Sequence, residues 1–284
     1  MSTEIKFRQR LRTRKRKQKF RRNIIAVILI FIIITVFALY VKGIFSQKDN
    51  NDTDVDFIFN GYVYPEPPQK NTDILVDAQK SDGVKTAYLT FDDGPNKSVT
   101  PKILDVLRRY NVKATFFAVG NLIEQNPDVA RRLYDEGHLI ANHSYSHKYN
   151  ELYADSNSFM NEIEHSNDII KNIVCRENYP KILRFPGGSY EVGSHAEAKK
   201  EIKSKLSEHG YRYCDWNSLT GDAESKSPSA DYLVNRLKDS SKGKEDLVIL
   251  MHDSVSKTAT AQTLPQILDY LIEQGYTFST LDKI

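Results

Sequence analysis

Beyond Gly83 the chain alternates short apolar or β-branched runs with stretches of helical spacing. The runs lie near 86–91, 114–118, 138–142, 181–185, 211–216, 246–252 and 276–281, and their length and content predict strands. Between them, Thr100-Pro101 caps and opens a helix whose Ile103, Leu104 and Leu107 share one face. Asn126-Pro127 opens another, carried by Val129 and Leu133 and stopped at Gly137. A longer one spans 157–174 through Phe159, Ile163, Ile169, Ile170 and Ile173. Three more follow at 195–209, 229–238 and 262–274, the first and last closed by Gly210 and Gly275. Seven strands alternating with about six helices predict a parallel α/β sheet, open or closed into a barrel. In either form chemistry gathers at the carboxyl ends of strands, so reactive side chains are expected where the runs stop.

Charge changes the picture before Gly83. Residues 1–22 hold eleven Lys or Arg against the single acid Glu4, whereas the whole chain carries only +3, so the remainder is net acidic. Ile24 to Val41 follows without a charge, and as helix it is roughly 27 Å long, enough to cross a hydrocarbon core. A basic flank before such a span keeps the flank in the cytoplasm and sends the remainder out. A cleaved signal peptide is the rival, but Val41-Lys42-Gly43-Ile44-Phe45-Ser46 offers no small-x-small site. The basic tail is better explained by orientation and contact with anionic lipid than by nucleic acid. Residues 43–83, rich in Asp, Asn, Gln and Pro, read as a tether. The expected organisation is a cytoplasmic tail (1–22), a single transmembrane anchor (23–42), an extracellular linker (43–83) and a catalytic domain (84–284). Cys175 and Cys214 are the only cysteines; two in a domain this large make no disulfide scaffold, and whether they pair stays open.

The first run ends in Thr90-Phe91-Asp92-Asp93-Gly94-Pro95. Adjacent carboxylates at the end of a buried strand call for a cation, and a divalent metal lets the two acids take different tasks. Taken alone the tetrapeptide is also an ordinary solvated turn. The third run ends in Asn142-His143-Ser144-Tyr145-Ser146-His147. Its two His, four apart, can converge from a helical turn or a tight loop, and two imidazoles with one carboxylate make an open zinc site. The remaining histidines, His138, His165, His195 and His209, read as surface or supporting residues. Arg184-Phe185-Pro186-Gly187-Gly188 closes the fourth run: the Arg can pair with Asp92, and the glycines bring backbone N–H groups close to a ligand. Cys214-Asp215-Trp216-Asn217 closes the fifth, with Gly221-Asp222-Ala223 shortly after. Leu250-Met251-His252 closes the sixth, and a His there is a candidate general acid.

Taken in order, Thr90–Pro95, His143-Ser-x-x-His147, Arg184-x-Pro186, the Asp215/Asp222 region and Leu250-x-His252 resemble the five motifs of polysaccharide deacetylases with a NodB-like domain (carbohydrate esterase family 4). The resemblance covers roughly 84–284 and implies an irregular (β/α) barrel. It also implies that Asp93, His143 and His147 hold a divalent metal, zinc in most members though cobalt or another ion can serve. Asp92 would be the general base for the attacking water, steadied by Arg184, and His252 would protonate the leaving amine. Gly187 N–H would stabilise the oxyanion, with Leu250, Trp216 and Asp222 around the substrate. An amide, a poor electrophile with a poor leaving group, needs all of these. Two departures stand out. Asn217 and Ala223 occupy the places where the fourth motif has its acid and its Trp, which leaves Asp215 or Asp222 as candidates for the carboxylate and Trp216 for the aromatic surface; and Gly187 stands where the family often has Tyr. The expected activity is N-deacetylation of cell-wall glycan, with peptidoglycan N-acetylglucosamine favoured. N-acetylmuramic acid ranks lower, because the branch acting on it often departs from Asp-Asp. A chitooligosaccharide, an O-acetyl ester or a degenerate glycan-binding protein are the alternatives.

Overall fold

The computed structural model describes residues 83–177 and 179–284. The basic tail, the anchor and all but the last residue of the linker lie outside the described residues; within them, no helix is long and apolar enough to cross a membrane.

Strand β1 (Thr86–Gly94) leads into α1 (Thr100–Tyr110), β2 (Thr115–Ala118), α2 (Gly120–Gln125), α3 (Pro127–Asp135) and β3 (Leu139–Asn142). Then come α4 (Tyr149–Leu152), α5 (Ser156–Val174), β4 (Ile182–Leu183), α6 (Ala196–Glu208), β5 (Arg212–Tyr213) and β6 (Ser218–Leu219). The chain finishes with α7 (Ala230–Ser241), β7 (Asp246–His252), α8 (Thr258–Glu273) and β8 (Thr277–Phe278). Seven strands line up in the order β5-β4-β3-β2-β1-β7-β6, and β8 pairs with the start of β1. All described pairings are parallel. The two ends of this row, β5 and β6, are two-residue strands that do not meet, so the curved sheet is a half-barrel. The expected strand over 211–216 shortens to β5, which pairs with β4, and β6 is a further short strand beyond it that pairs with β7 on the other side of the sheet.

Strands β1 and β7 are central and covered on both faces. Leu247 through Met251 are all 3% exposed or less, and a continuous apolar run is what a doubly buried parallel strand needs. Ile103, Leu104 and Leu107 of α1 are fully buried as their spacing implies, each worth roughly 1.5–3 kcal/mol of transfer free energy. The start of α1 differs from expectation. Asn96 Oδ1 accepts the N–H groups of Ser98 and Val99 at 3.0 and 2.8 Å, while the Thr100 hydroxyl turns away to Asp253 at 2.5 Å. Asn96 therefore satisfies the free donors ahead of the helix, and Thr100 serves the site. Both cysteines are free thiols, Cys175 exposed and Cys214 buried. His138 is a core residue: its Nδ1 accepts Ala114 N–H at 3.1 Å, and burial, with Lys113 and Arg132 nearby, pushes its pKa down to about 4.

Candidate active site

Asp92 and Asp93 are neighbours in a strand, where side chains alternate faces. They nevertheless converge, because β1 bulges at this point. Asp92 pairs with Phe117 and Gly94 with Ala118, leaving Asp93 as the extra residue. Its φ of 73° is unusual for a residue with a side chain. Gly94 is required next: a Cβ there would lie 2.1 Å from Asp253 Oδ2. The carboxyl of Asp253 is buried and its backbone N–H donates to Asp92 O at 2.9 Å. Burial, then the charges of Asp93 and Asp92, lift its pKa to about 7. The bracket formed by Asn96, Thr100 and Asp253 was not foreseen from sequence, although the His252-Asp253 dipeptide stood at a strand end.

His143 and His147 converge from a tight loop rather than a helical turn. Ser144 and His147 take left-handed backbone, φ 64° and 59°. Glu162 of α5 accepts the N–H groups of Tyr145 and Ser146 at 3.1 and 2.8 Å, and Ser144 Oγ accepts that of His147 at 3.0 Å. Asp93 Oδ1 then lies 3.5 Å from His143 Nε2 and 3.2 Å from His147 Nε2. One ligand atom from each of the three residues falls within 4.8 Å of the others. Two donors held tetrahedrally at 2.0–2.1 Å from one ion are about 3.4 Å apart, so the spacing fits a zinc-sized ion. His143 Nδ1 donates to Arg184 O at 2.9 Å; a carbonyl can only accept, which leaves the Nε2 lone pair facing the other two donors. Burial opposes charge on Asp93, but His147, His143 and His252 outweigh it and hold the carboxyl well below its usual range. Burial likewise lowers His147. An anionic carboxylate and neutral imidazoles are the forms a metal needs.

Arg184 is wholly buried and each of its three side-chain nitrogens donates. Nε donates to Cys214 O (2.9 Å), Nη2 to Asp215 O (2.8 Å), and Nη1 to Thr90 Oγ1 (2.7 Å) and Asp92 Oδ1 (2.9 Å). Its guanidinium lies 4.1 Å above the Phe117 ring. With Oδ1 of Asp92 held by Arg184, Oδ2 takes no hydrogen bond among the described residues and lies 3.9 Å from His143 Nε2. Across the sheet, Asp92 is in register with His252, and Thr90 with Leu250, which puts the four on one face.

A model of the family described as polysaccharide deacetylase matches residues 79–214. A peptidoglycan-N-acetylglucosamine deacetylase of Bacillus cereus is 35% identical over 203 residues, covering 68% of this chain and 68% of that protein. This chain belongs to the polysaccharide deacetylase family. Solved structures agree. The catalytic domain of a peptidoglycan N-acetylglucosamine deacetylase from Eubacterium rectale superposes with a TM-score of 0.64 at 34% identity, covering 72% of this chain and 93% of its own. An esterase of carbohydrate esterase family 4 from Streptococcus mutans gives 0.63 at 33%, covering 69% and 85%.

Within this deacetylase fold the fourth-motif departures resolve. Asn217 is a strand-end clip, its amide donating to Asp246 O (2.8 Å) and its carbonyl accepting Val248 N–H (2.9 Å). The carboxylate beside His252 is Asp222, with Oδ1 2.8 Å from Nδ1. Expected among the substrate contacts, Asp222 is instead 2% exposed, its oxygens spent on His252, the His252 N–H and Thr260 Oγ1; it sits beneath the histidine. Asp215 serves a different loop, accepting the Ser189 N–H at 3.0 Å and hydroxyl at 2.5 Å. Trp216 also differs from expectation. It is 1% exposed, wedged near Arg184 (5.7 Å) and edge-on to Tyr190, so it backs the site instead of offering a face to sugar. Gly187 has φ 73°, and a Cβ there would lie 2.8 Å from the Tyr149 hydroxyl. Lys199, buried on α6, donates to Gly188 O at 2.8 Å, and burial lowers its pKa to about 8. Neither Tyr149 nor Lys199 carried a sequence signal, because each meets the site only through folding.

Proposed function

We propose that this protein is a metal-dependent hydrolase that removes N-acetyl groups from glucosamine residues of peptidoglycan. One observation supports this most: Arg184 occupies Asp92 Oδ1 and leaves Oδ2 beside the Asp93–His143–His147 ligand set. Asp93, His143 and His147 would hold the ion, zinc being the first choice for a mixed N/O donor set of this spacing. A divalent ion bound there supplies Lewis-acid charge, which polarises the acyl carbonyl and makes water acidic.

The side chains do the rest. Asp92 takes the proton of the attacking water at Oδ2, held in place by Arg184. Gly187 N–H faces the acyl oxygen; among the described residues it has no acceptor, whereas Gly188 N–H is spent on Phe185 O at 2.8 Å. Leu250 lines the apolar side against the acetyl methyl. His252, fixed through Nδ1 by Asp222, delivers a proton from Nε2 to the leaving amine as the C–N bond breaks, and acetate and the free amino sugar result. Peptidoglycan is chosen because relatives sharing about a third of this sequence carry that substrate in their names. The eleven basic residues before an uncharged eighteen-residue segment support a single-pass anchor with a cytoplasmic N-terminus and a catalytic domain outside the membrane.

Purified wall, N-acetylglucosamine oligomers and acetyl-xylan, each given with zinc, test the reading by acetate release and mass spectrometry of the muropeptides. Wall glucosamine should appear in free-amine form. Asp92→Asn should abolish release while zinc stays bound, and His143→Ala should lose the zinc. Release from acetyl-xylan alone would overturn the substrate.

A further inference from the structure

Phe185-Pro186-Gly187-Gly188 is a stretch suited to one kind of turn. Gly188 N–H donates to Phe185 O at 2.8 Å, which closes a four-residue turn, and Gly187 at its third position has φ 73°. Proline at the second position with a positive φ at the third makes this a type II turn. Its counterpart, type I, differs chiefly by a half-rotation of the central peptide, here Pro186–Gly187, and proline at the second position accepts either. That peptide is trans, so its N–H points opposite to its C=O. Where Pro186 O is held therefore decides which way the Gly187 N–H faces.

Pro186 O is held by Tyr153, whose hydroxyl donates to it at 2.7 Å. Tyr153 directly follows α4 and is 3% exposed. Its ring stacks on Phe159 of α5 with centroids 5.8 Å apart and lies 5.2 Å from the His195 ring, so packing aims the hydroxyl. Burial, with Tyr149 and Asp215 adding, pushes the phenol pKa well above its ordinary range, and the group remains a donor through neutral and mildly alkaline pH. Further along, Lys199 Nζ donates to Gly188 O at 2.8 Å and Asp215 accepts the Ser189 N–H at 3.0 Å. Those two fix the exit of the turn, whereas Tyr153 grips its central peptide.

We propose that Tyr153 is a positioning residue for deacetylation: by holding Pro186 O toward the buried cluster around Phe159 and Phe185, its hydroxyl fixes the central peptide in the type II orientation that presents the Gly187 N–H to the acyl oxygen. This rests on the deacetylase reading above. A donor on the carbonyl of a peptide also polarises the N–H of the same peptide, so the grip on Pro186 O strengthens the bond that Gly187 gives. Because negative charge grows on the acyl oxygen only as the tetrahedral centre forms, the contribution falls on turnover more than on binding.

Tyr153→Phe tests this, since it keeps the ring on Phe159 and removes only the hydroxyl. Tyr179→Phe is the control, because that buried hydroxyl accepts the Ile140 N–H at 3.0 Å and belongs to the core beside β3. The readouts, with zinc present, are steady-state acetate release from N-acetylglucosamine oligomers, zinc affinity and thermal unfolding. A fourth is inhibition by a methylphosphonamidate of glucosamine, whose anionic tetrahedral group mimics the reacting centre. Tyr153→Phe should lower kcat about 10-fold, keep KM and zinc affinity near wild type, and weaken the phosphonamidate by a similar factor. Tyr179→Phe should lower the unfolding temperature and keep kcat. A kcat for Tyr153→Phe within about threefold of wild type overturns the proposal while leaving the deacetylase reading intact. So does a larger loss with phosphonamidate affinity unchanged, or an equal loss of kcat in Tyr179→Phe. A wild-type protein that releases no acetate from these oligomers or from purified wall overturns both.

Discussion

Asp222 grips His252 at two points: Oδ1 lies 2.8 Å from the imidazole Nδ1, and Oδ2 accepts the His252 backbone N–H at 2.8 Å. Burial works against an imidazolium here, but the Asp222 carboxylate outweighs it, with Asp93 and Asp92 adding, and the pKa rises to about 9. An acid of that strength keeps its proton through neutrality and surrenders it to a departing amine. Activity should therefore fall on the alkaline side, at or below pH 9, since a bound dication draws the pKa down. Asp222→Asn removes the stabilising charge, so the alkaline limb of the kcat profile should move to lower pH and kcat at neutral pH should fall about 100-fold. A profile that keeps its wild-type alkaline limb would show that the histidine does not depend on this partner.

The same pair has a stability signature. A group whose folded pKa is raised stabilises fully below its unfolded value, here 6.5, and loses that contribution as pH rises through about 9. Denaturant midpoints of the chelator-treated wild type should decline from pH 7 to pH 10 more than those of Asp222→Asn. Equal declines in the two proteins would count against a charged His252 in the folded state.

Arg184 should resist conservative replacement. A lysine has one compact ammonium and cannot make the four bonds that Nε, Nη1 and Nη2 make together. Arg184→Met leaves the buried Asp92 carboxylate without its cation, which costs about 3–5 kcal/mol. Urea unfolding should register that loss. Arg184→Lys should fold but release acetate at least about 100-fold more slowly, as the base loses its orientation.

Metal binding should couple to folding through three residues. With free zinc at about a thousand times its Kd, the folded state gains about 4 kcal/mol, so zinc added to chelator-treated protein should raise the unfolding temperature by several degrees. His143→Ala should show no such rise. Because His147 is lowered from its ordinary pKa, the shift should persist somewhat below pH 6.5 and vanish on further acidification, as the imidazoles take up protons.

Asn217 offers a contrast. Its amide closes the gap between β6 and β7 through Asp246 O and Val248 N–H and touches none of the reacting groups. Asn217→Ala should cost about 1–3 kcal/mol in unfolding free energy and leave kcat near wild type at temperatures where the protein is folded.

Much of this was legible along the chain. The alternation of runs and helical stretches implied a parallel sheet, and the runs stopped at Asp92-Asp93, Asn142-His143, Arg184 and His252, which is where the candidate site lies. Local signals failed where pairing is decided at a distance. The predicted strand over 211–216 shrinks to Arg212 and Tyr213, which pair with β4, while Ser218 and Leu219, beyond the predicted run, form a separate strand on β7. Thr100 looked like a cap and is a bridge to Asp253, a partner 153 residues away.

By itself the sequence determined which chemical groups exist and at which strand ends they stand, because burial requires apolar runs of fixed period and ligands at a strand tip need no partner to be recognised as acids or imidazoles. Tertiary structure alone decided how those groups meet. The bulge at Asp93 turns two successive carboxylates to one side of a strand that would otherwise part them. The turn after β6 brings Asp222, and not the residues aligned with the family's fourth motif, under His252. The loop after β3 lays Tyr149 over a glycine that could not hold a side chain of its own. Each depends on distances between segments far apart in the chain, and those are set by packing.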